Sequence, residues 1–280
     1  MNPREALEFA RPRFLRRCDA PSTRKAYDRE IARFLAWLHE NPTSETLFDY
    51  RDHLREKGLG PTTIRWRTTV IKRLLQWSTR RGFLDRDLTA DFTPPKGKTG
   101  FAPRVLSAGE LARLLDAPDR RTARGRRDAA ILVCLGVGGL RAGEVCALNA
   151  QDVLIRDHEV VLTVNGKGKK QRMVTLPGKH VALFRAYLAM WKKCRKPGRP
   201  YFWGGRSDSK RMTVAGIDYL VKRTGEEAEI PGLHPHALRH TAATLAIRSG
   251  MPLHDVQTKL GHSAITTTAR YLHGSGQAGD

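Results

Sequence analysis

The sequence predicts a mainly α chain of two domains, the second carrying a small antiparallel β-sheet. Three observations carry that expectation. Apolar residues recur at the helical period through residues 1–95; a Pro/Gly/Lys stretch without periodicity follows; and two β-rich segments at 160–164 and 172–176 flank a glycine-rich turn.

A first helical domain is expected over residues 1–95. Ser22 is placed to cap a helix whose apolar positions Tyr27, Ile31, Phe34, Leu35 and Leu38 fall on one face. Pro61 suits the first turn of another helix, with Ile64, Val70, Ile71, Leu74, Leu75 and Trp77 turned inward. Arg65, Arg67, Lys72, Arg73, Arg80 and Arg81 lie on or just after that helix and read as a phosphate-facing surface. The run DFTPPKGKTG (91–100) marks a break, and residues 96–103 are taken as the linker.

The second domain is expected over 104–280. Ser107 and Glu110 form a capping box before Leu111, Leu114 and Leu115. A buried helix is expected at about 128–137, and Gly138-Gly139 breaks it ahead of a new helical turn at Arg141. The turn NGKGKK (165–170) joins the two strands, and helices are expected at 178–192, 213–229, 236–249 and 252–260, with a short one ending near Tyr271.

Fifty Lys and Arg stand against 28 Asp and Glu, a net charge of +22. That surplus predicts salt-sensitive attraction to a polyanion, of which nucleic acid is the favoured one. The alternative is a basic surface that only aids solubility. No basic face is backed by Trp and Leu, which speaks against a membrane surface, and the most apolar run, 129–140, is too short to span a bilayer. The N-terminus has no signal-like apolar stretch, and Cys18, Cys134, Cys146 and Cys194 form no CxxC pair. A cytoplasmic chain without disulfide framework or structural zinc is expected.

Breaking a DNA phosphodiester without a metal requires fixed cations for the phosphoryl oxygens, a nucleophile, and an acid for the departing alkoxide. The second half contains candidates for each. Arg141 follows the Gly-Gly kink; His236 and Arg239 are three apart on one helix; Lys167 sits at a hairpin tip; His262 follows a glycine; and Tyr271 lies nine residues beyond it. Taken singly, each has a plain structural reading as a surface ion pair, a loop lysine or a packed ring. His236 and His240 have a zinc-compatible spacing, but no HExxH motif and no Cys or carboxylate cluster accompanies them, so no metal site is expected.

Four segments in order, GLRAGEVCAL, NGKGKKQR, HPHALRHTAATLAIRSG and LGHSAITTTARYLH, resemble the signatures of the tyrosine recombinase, or phage-integrase-like, family. STRKAYDREIARFLAWL resembles its N-terminal core-binding domain, and LSAGELARLLD the opening of its catalytic domain. The resemblance implies a SAM-like helical domain followed by the DNA breaking-rejoining fold. It implies that Arg141 and Arg239 bind the scissile phosphate, that Lys167 is the general acid toward the 5′ oxygen, and that His236 and His262 assist. Tyr271 would attack, leaving a 3′-phosphotyrosine and a 5′-hydroxyl, while Glu144 would orient a neighbour. Arg65, Arg67, Lys72, Arg73, Lys169 and Lys170 would bind DNA.

The same resemblance implies no cofactor, and partners consisting of double-stranded DNA with specific recombination sites and three further copies of the chain, a homotetramer on two sites exchanging strands through a Holliday junction. Two alternatives stay open: a relaxing enzyme of type IB-like chemistry, and a non-catalytic DNA-binding regulator. Given the lean stretch before Ser22, no arm-binding domain is expected, and the glycine-rich residues 272–280 are not expected to form a coupling helix.

Overall fold

The computed structural model describes residues 2–39, 42–97, 104–166, 171–190, 200–202 and 211–261. The chain divides into two compact units, Met1–Phe101 and Ala102–Asp280.

The first unit is a bundle of α1 (Pro3–Leu15), α2 (Pro21–Trp37), α3 (Thr46–Glu56) and α4 (Pro61–Arg80). Asn2 opens α1 with a reciprocal capping box to Glu5. Proline stands in the first turn of α2 and of α4, where its missing N–H costs nothing. Ser22 is not the cap of α2: the helix begins at Pro21, and Ala20 holds the cap position without a side-chain hydrogen bond. Ile31, Phe34, Leu35, Leu47, Leu54, Ile71 and Leu74 form the core, and Tyr50 donates its hydroxyl to buried Glu30 over 2.7 Å.

The second unit opens with α5 (Ala108–Asp116), whose Ser107–Glu110 capping box is present, and α6 (Ala123–Gly136). Helix α6 starts five residues before the expected position 128 because Thr122 accepts from the Gly125 N–H. Its residues 129–135 are all buried, making it the central helix. A short α7 (Ala142–Ala147) leads into β1 (Val153–Ile155), β2 (Glu159–Asn165) and β3 (Gln171–Pro177), an antiparallel sheet in that order. The β2–β3 register pairs Val164 with Arg172 and Asn165 with Gln171. One 3-10 turn precedes α8 (Val181–Met190), and α9 (Val214–Glu227), α10 (Pro235–Arg248) and α11 (Leu253–Leu260) follow.

Cys134 and Cys146 are buried in the core of this unit. Asp128, also buried, accepts from Arg127 on its own helix and from Arg223 of α9 over 2.8 Å, tying α6 to α9. No helix among the described residues is long and apolar enough to cross a membrane.

Candidate functional site

The site is built on the break between α6 and α7. Gly139 adopts φ +68°, where a side chain is strained, and a Cβ there would lie 2.6 Å from Leu260 Cδ2, so glycine favours both the turn and the close approach of α11. The turn sets Arg141 at the cap position of α7 with Glu144 one turn later. Glu144 reaches back to accept the Arg141 backbone N–H at 2.8 Å, and its other oxygen accepts Arg141 Nη1 at 2.9 Å. The Arg141 side chain remains 46% exposed, whereas that of Glu144 is 9% exposed.

Arg239 comes from α10. His234 starts that helix by accepting the Ala237 N–H on Nδ1, with Pro235 in the first turn. Arg239 is 1% exposed. Its Nη1 donates to the Gly139 carbonyl and its Nη2 to the Leu260 carbonyl, each at 2.6 Å, and Nη1 stands 3.9 Å from Glu144 Oε2. A third guanidinium, Arg172 of β3, donates Nη1 and Nη2 to the two Glu144 oxygens at 3.0 and 2.8 Å and Nε to the Lys259 carbonyl at 2.8 Å.

Among the described residues, three guanidiniums around one carboxylate leave a local surplus of two positive charges. Burial raises the Glu144 carboxyl pKa, but hydrogen bonds from Arg172 and the Arg141 N–H, with the charges of both arginines, hold it below its ordinary value. The carboxylate is therefore ionised at neutral pH, a counter-charge that the arginines share. A cluster of guanidiniums of this kind suits an anion with several oxygens.

His236 and His240 stand edge to face on α10 with ring centroids 4.5 Å apart. Desolvation, then the charges of Arg239, His234 and Arg141, push the His236 pKa down. His240 is pushed to about 4 by desolvation and then by His236, Arg239 and His234. Both imidazoles are neutral at neutral pH. A depressed folded-state pKa means the unfolded chain takes up the proton first. The stability that neutral His240 contributes is therefore lost as pH falls from the ordinary 6.5 toward about 4. Urea unfolding across that window should show a shallower pH dependence in His240→Gln than in the wild type; an unchanged slope would contradict this placement.

The described residues thus bring together Arg141, Glu144 and Arg239, with His236 one turn from Arg239 on α10. Lys167, Lys169, Lys170, His262 and Tyr271, and the short helix expected near Tyr271, lie outside the described residues. In the first unit the basic residues of α4 divide into two kinds. Arg65 and Arg73 are exposed, and Arg73 donates to the Tyr27 hydroxyl at 2.9 Å. Arg67 Nε stands 3.5 Å from Oε2 of fully buried Glu30, and Lys72 donates to the Phe92 carbonyl.

Arg172 is the site residue that sequence reasoning missed. A signal was present: it shares the strand face of Val174 and Leu176, which point into the core. A cation in that phase needs a buried partner.

A family model described as the phage integrase family matches residues 104–277, and one described as the phage integrase N-terminal SAM-like domain matches residues 13–82. The chain is 32% identical over 256 residues to tyrosine recombinase XerC of Neisseria meningitidis serogroup B, covering 88% of this chain and 83% of that protein. It is also 32% identical over 269 residues to tyrosine recombinase XerD of Ralstonia nicotianae, covering 91% and 84%. In fold it is similar to XerH site-specific recombinase, solved on a palindromic difH substrate as a post-cleavage complex, with a TM-score of 0.75 at 19% identity over 91% of this chain and 77% of that one. With family models that match most of the chain and relatives that agree along most of the sequence, the chain belongs to the phage integrase family of tyrosine-type site-specific recombinases.

Proposed function

We propose that this recombinase cuts and rejoins DNA at specific sites through a 3′-phosphotyrosyl link to Tyr271, with four protomers on two sites exchanging strands through a Holliday junction. The observation that carries the reading is the Glu144-centred cluster, which gathers Arg141 and Arg239 from separate helices into a pocket with surplus positive charge.

In this reading Arg141, the exposed member, meets the phosphate first. Arg239 is buried, so it meets the phosphate only when the atoms covering it give way. Together they offset the charge that gathers on the phosphoryl oxygens as Tyr271 attacks. His236, neutral, donates a hydrogen bond to the phosphate. The departing 5′ alkoxide is a far poorer leaving group than a phenolate, so Lys167 supplies its proton, and His262 supports the same transition state. The phosphotyrosine conserves the bond energy, and a 5′-hydroxyl reseals the strand without ATP. The one described carboxylate at the pocket, Glu144, is engaged by Arg141 and Arg172, so the arginines supply the positive charge that a divalent cation would otherwise bring.

The matched SAM-like segment supports a DNA-binding role for the first unit, exerted through exposed Arg65 and Arg73, with Lys169 and Lys170 contributing from the second. Arg67 and Lys72 act mainly by holding α4 to Glu30 and Phe92. Arg65→Ala and Arg73→Ala should each weaken DNA binding evenly across sequences and reduce the slope of log affinity against log salt by about 1. Titrations at several salt concentrations measure this; an unchanged slope removes that residue from the phosphate contacts. The chain would work where bacterial-type chromosomal DNA lies, in the cytoplasm at the nucleoid.

Incubation with a library of nicked suicide duplexes in EDTA tests the reading. A covalent protein–DNA adduct is expected, with recombinant joints from intact duplexes. No adduct on any duplex would leave a DNA-binding regulator, and adducts with relaxation but no joints would leave a relaxing enzyme. An adduct that requires added metal would refute the metal-free pocket.

A further inference from the structure

We propose that Arg172 is a positioning residue for strand cleavage, whose guanidinium locks Glu144, and through it Arg141 and Arg239, onto the C-terminal end of α11. The inference rests on the recombinase reading above and assigns a role to a residue outside the attacking and phosphate-binding set.

Arg172 is turned into the protein. Its side chain is 10% exposed, and all three of its guanidinium nitrogens donate inward, two to Glu144 and one to the Lys259 carbonyl. The last carbonyls of a helix lack partners within it and carry its negative end. Two arginines satisfy adjacent ones here, Arg172 at Lys259 and Arg239 at Leu260. The two guanidiniums therefore share a helix end on one side and the Glu144 carboxylate on the other.

Each Glu144 oxygen is itself divided between Arg141 and Arg172. Oε1 accepts from both Nη1 atoms, and Oε2 accepts from the Arg141 backbone N–H and Arg172 Nη2. With Arg172 removed, Glu144 keeps one close side-chain partner among the described residues, Arg141, and can rotate toward it, taking that exposed guanidinium with it. Gly261 completes the fit. It ends α11 in the left-handed region at φ +65°, and a Cβ there would stand 3.0–3.2 Å from the Arg172 guanidinium and Cδ. The backbone at the end of α11 is shaped to receive this side chain.

Lysine cannot replace it. A single ammonium on a flexible stem does not span two carboxylate oxygens and a carbonyl in one plane. Arg172 also joins three segments distant in sequence, β3, the start of α7 and the end of α11, so its loss releases all three at the pocket.

The test uses the full chain, wild type, Arg172→Lys and Arg172→Ala, on a duplex that the wild type cleaves. DNA affinity, single-turnover cleavage, and cleavage of the same duplex with a neutral methylphosphonate at the scissile position are measured in parallel. Both variants should bind DNA within about threefold of wild type, because the altered side chain faces inward, yet cleave about 10²-fold more slowly, the scale expected when reacting groups are misplaced. On the methylphosphonate the defect should shrink to less than about tenfold, because a neutral centre asks less of the arginines that Arg172 holds.

A purely structural role would slow both substrates equally, and that result overturns the proposal, as does wild-type cleavage by Arg172→Lys. Loss of affinity in step with cleavage also overturns it. Should Arg172→Ala fail to fold, Arg172→Lys, which keeps the charge and most of the volume, decides alone. Failure of the wild type to cleave any duplex would instead sink the recombinase reading itself, an outcome separate from all of these.

Discussion

Arg239→Ala is expected to lower strand cleavage by about 10³-fold, the upper range for removing one preorganised donor from a developing anion. The reason is the way Arg239 is held. Two backbone carbonyls, from Gly139 and Leu260, hold its guanidinium at 2.6 Å each, so in the proposed mechanism the donor is already oriented when the atoms covering it give way to the phosphate. The same truncation strands those carbonyls, at about 1–3 kcal/mol for each group left without a partner, so a lower melting temperature should accompany the loss. DNA affinity should change less than about tenfold, because in the proposed reading the exposed basic residues elsewhere carry the non-specific binding. Arg239→Lys separates the effects by retaining charge without the fork. Cleavage rates and dissociation constants at one salt concentration measure the outcome; equal falls in both would mean that Arg239 is merely one of the DNA-binding cations.

Glu144→Ala is expected to produce the largest loss of stability. It removes the only carboxylate that the described residues place among Arg141, Arg172 and Arg239, leaving three guanidiniums to repel one another. Breaking a buried pair by removing one partner costs about 3–5 kcal/mol. For a domain of this size that corresponds to a fall in melting temperature on the order of 10 °C. The sign of the pH dependence follows from the direction of the shift. A carboxyl held below its ordinary 4.5 contributes stability above that pH and loses it as pH falls through the lower folded value. The stability gap between wild type and Glu144→Ala should therefore be full at pH 7 and narrow progressively in acid. Denaturant titrations at pH 7 and at several acid pH values measure it, and equal stability at pH 7 would contradict the geometry.

Much of the fold was legible because single residues dominate local choices. The Ser107–Glu110 box, Pro61, Pro235 and the Gly138-Gly139 break each act over one turn, and the helices begin or end where they stand. Ser22 misled because Pro21 is already in the first turn, and a proline there outweighs a capping hydroxyl one residue later. The start of α6 was missed because its first turn, ARGRR, carries no apolar stripe and is held by Thr122 instead. Strand β1 is three residues long, too short for alternation to declare itself, and exists through pairing with β2.

The site divides in the same way. Arg141, Glu144 and Arg239 sit in distinctive local settings, whereas Arg67 reads as one of the phosphate-facing cations of its helix and Arg172 as a strand residue without a role. Their partners are contributed from far along the chain, Glu144 for the first and Glu30 for the second. Strand and helix phase carried the missing information. Arg172 shares a face with Val174 and Leu176, and Glu30 lies one turn before Phe34 on the apolar side of α2. Charged residues in an apolar phase mark buried ion pairs, and pairing such positions between segments would have located both.

Peptide mapping of the protein–DNA adduct tests the central claim most directly. After nuclease and protease digestion, mass spectrometry should find a nucleotide on one peptide only, attached through a 3′-phosphate to the phenolic oxygen of Tyr271. A nucleotide carried by any other residue, or linked through its 5′ end, would contradict the mechanism and remove the purpose assigned to the arginine pocket.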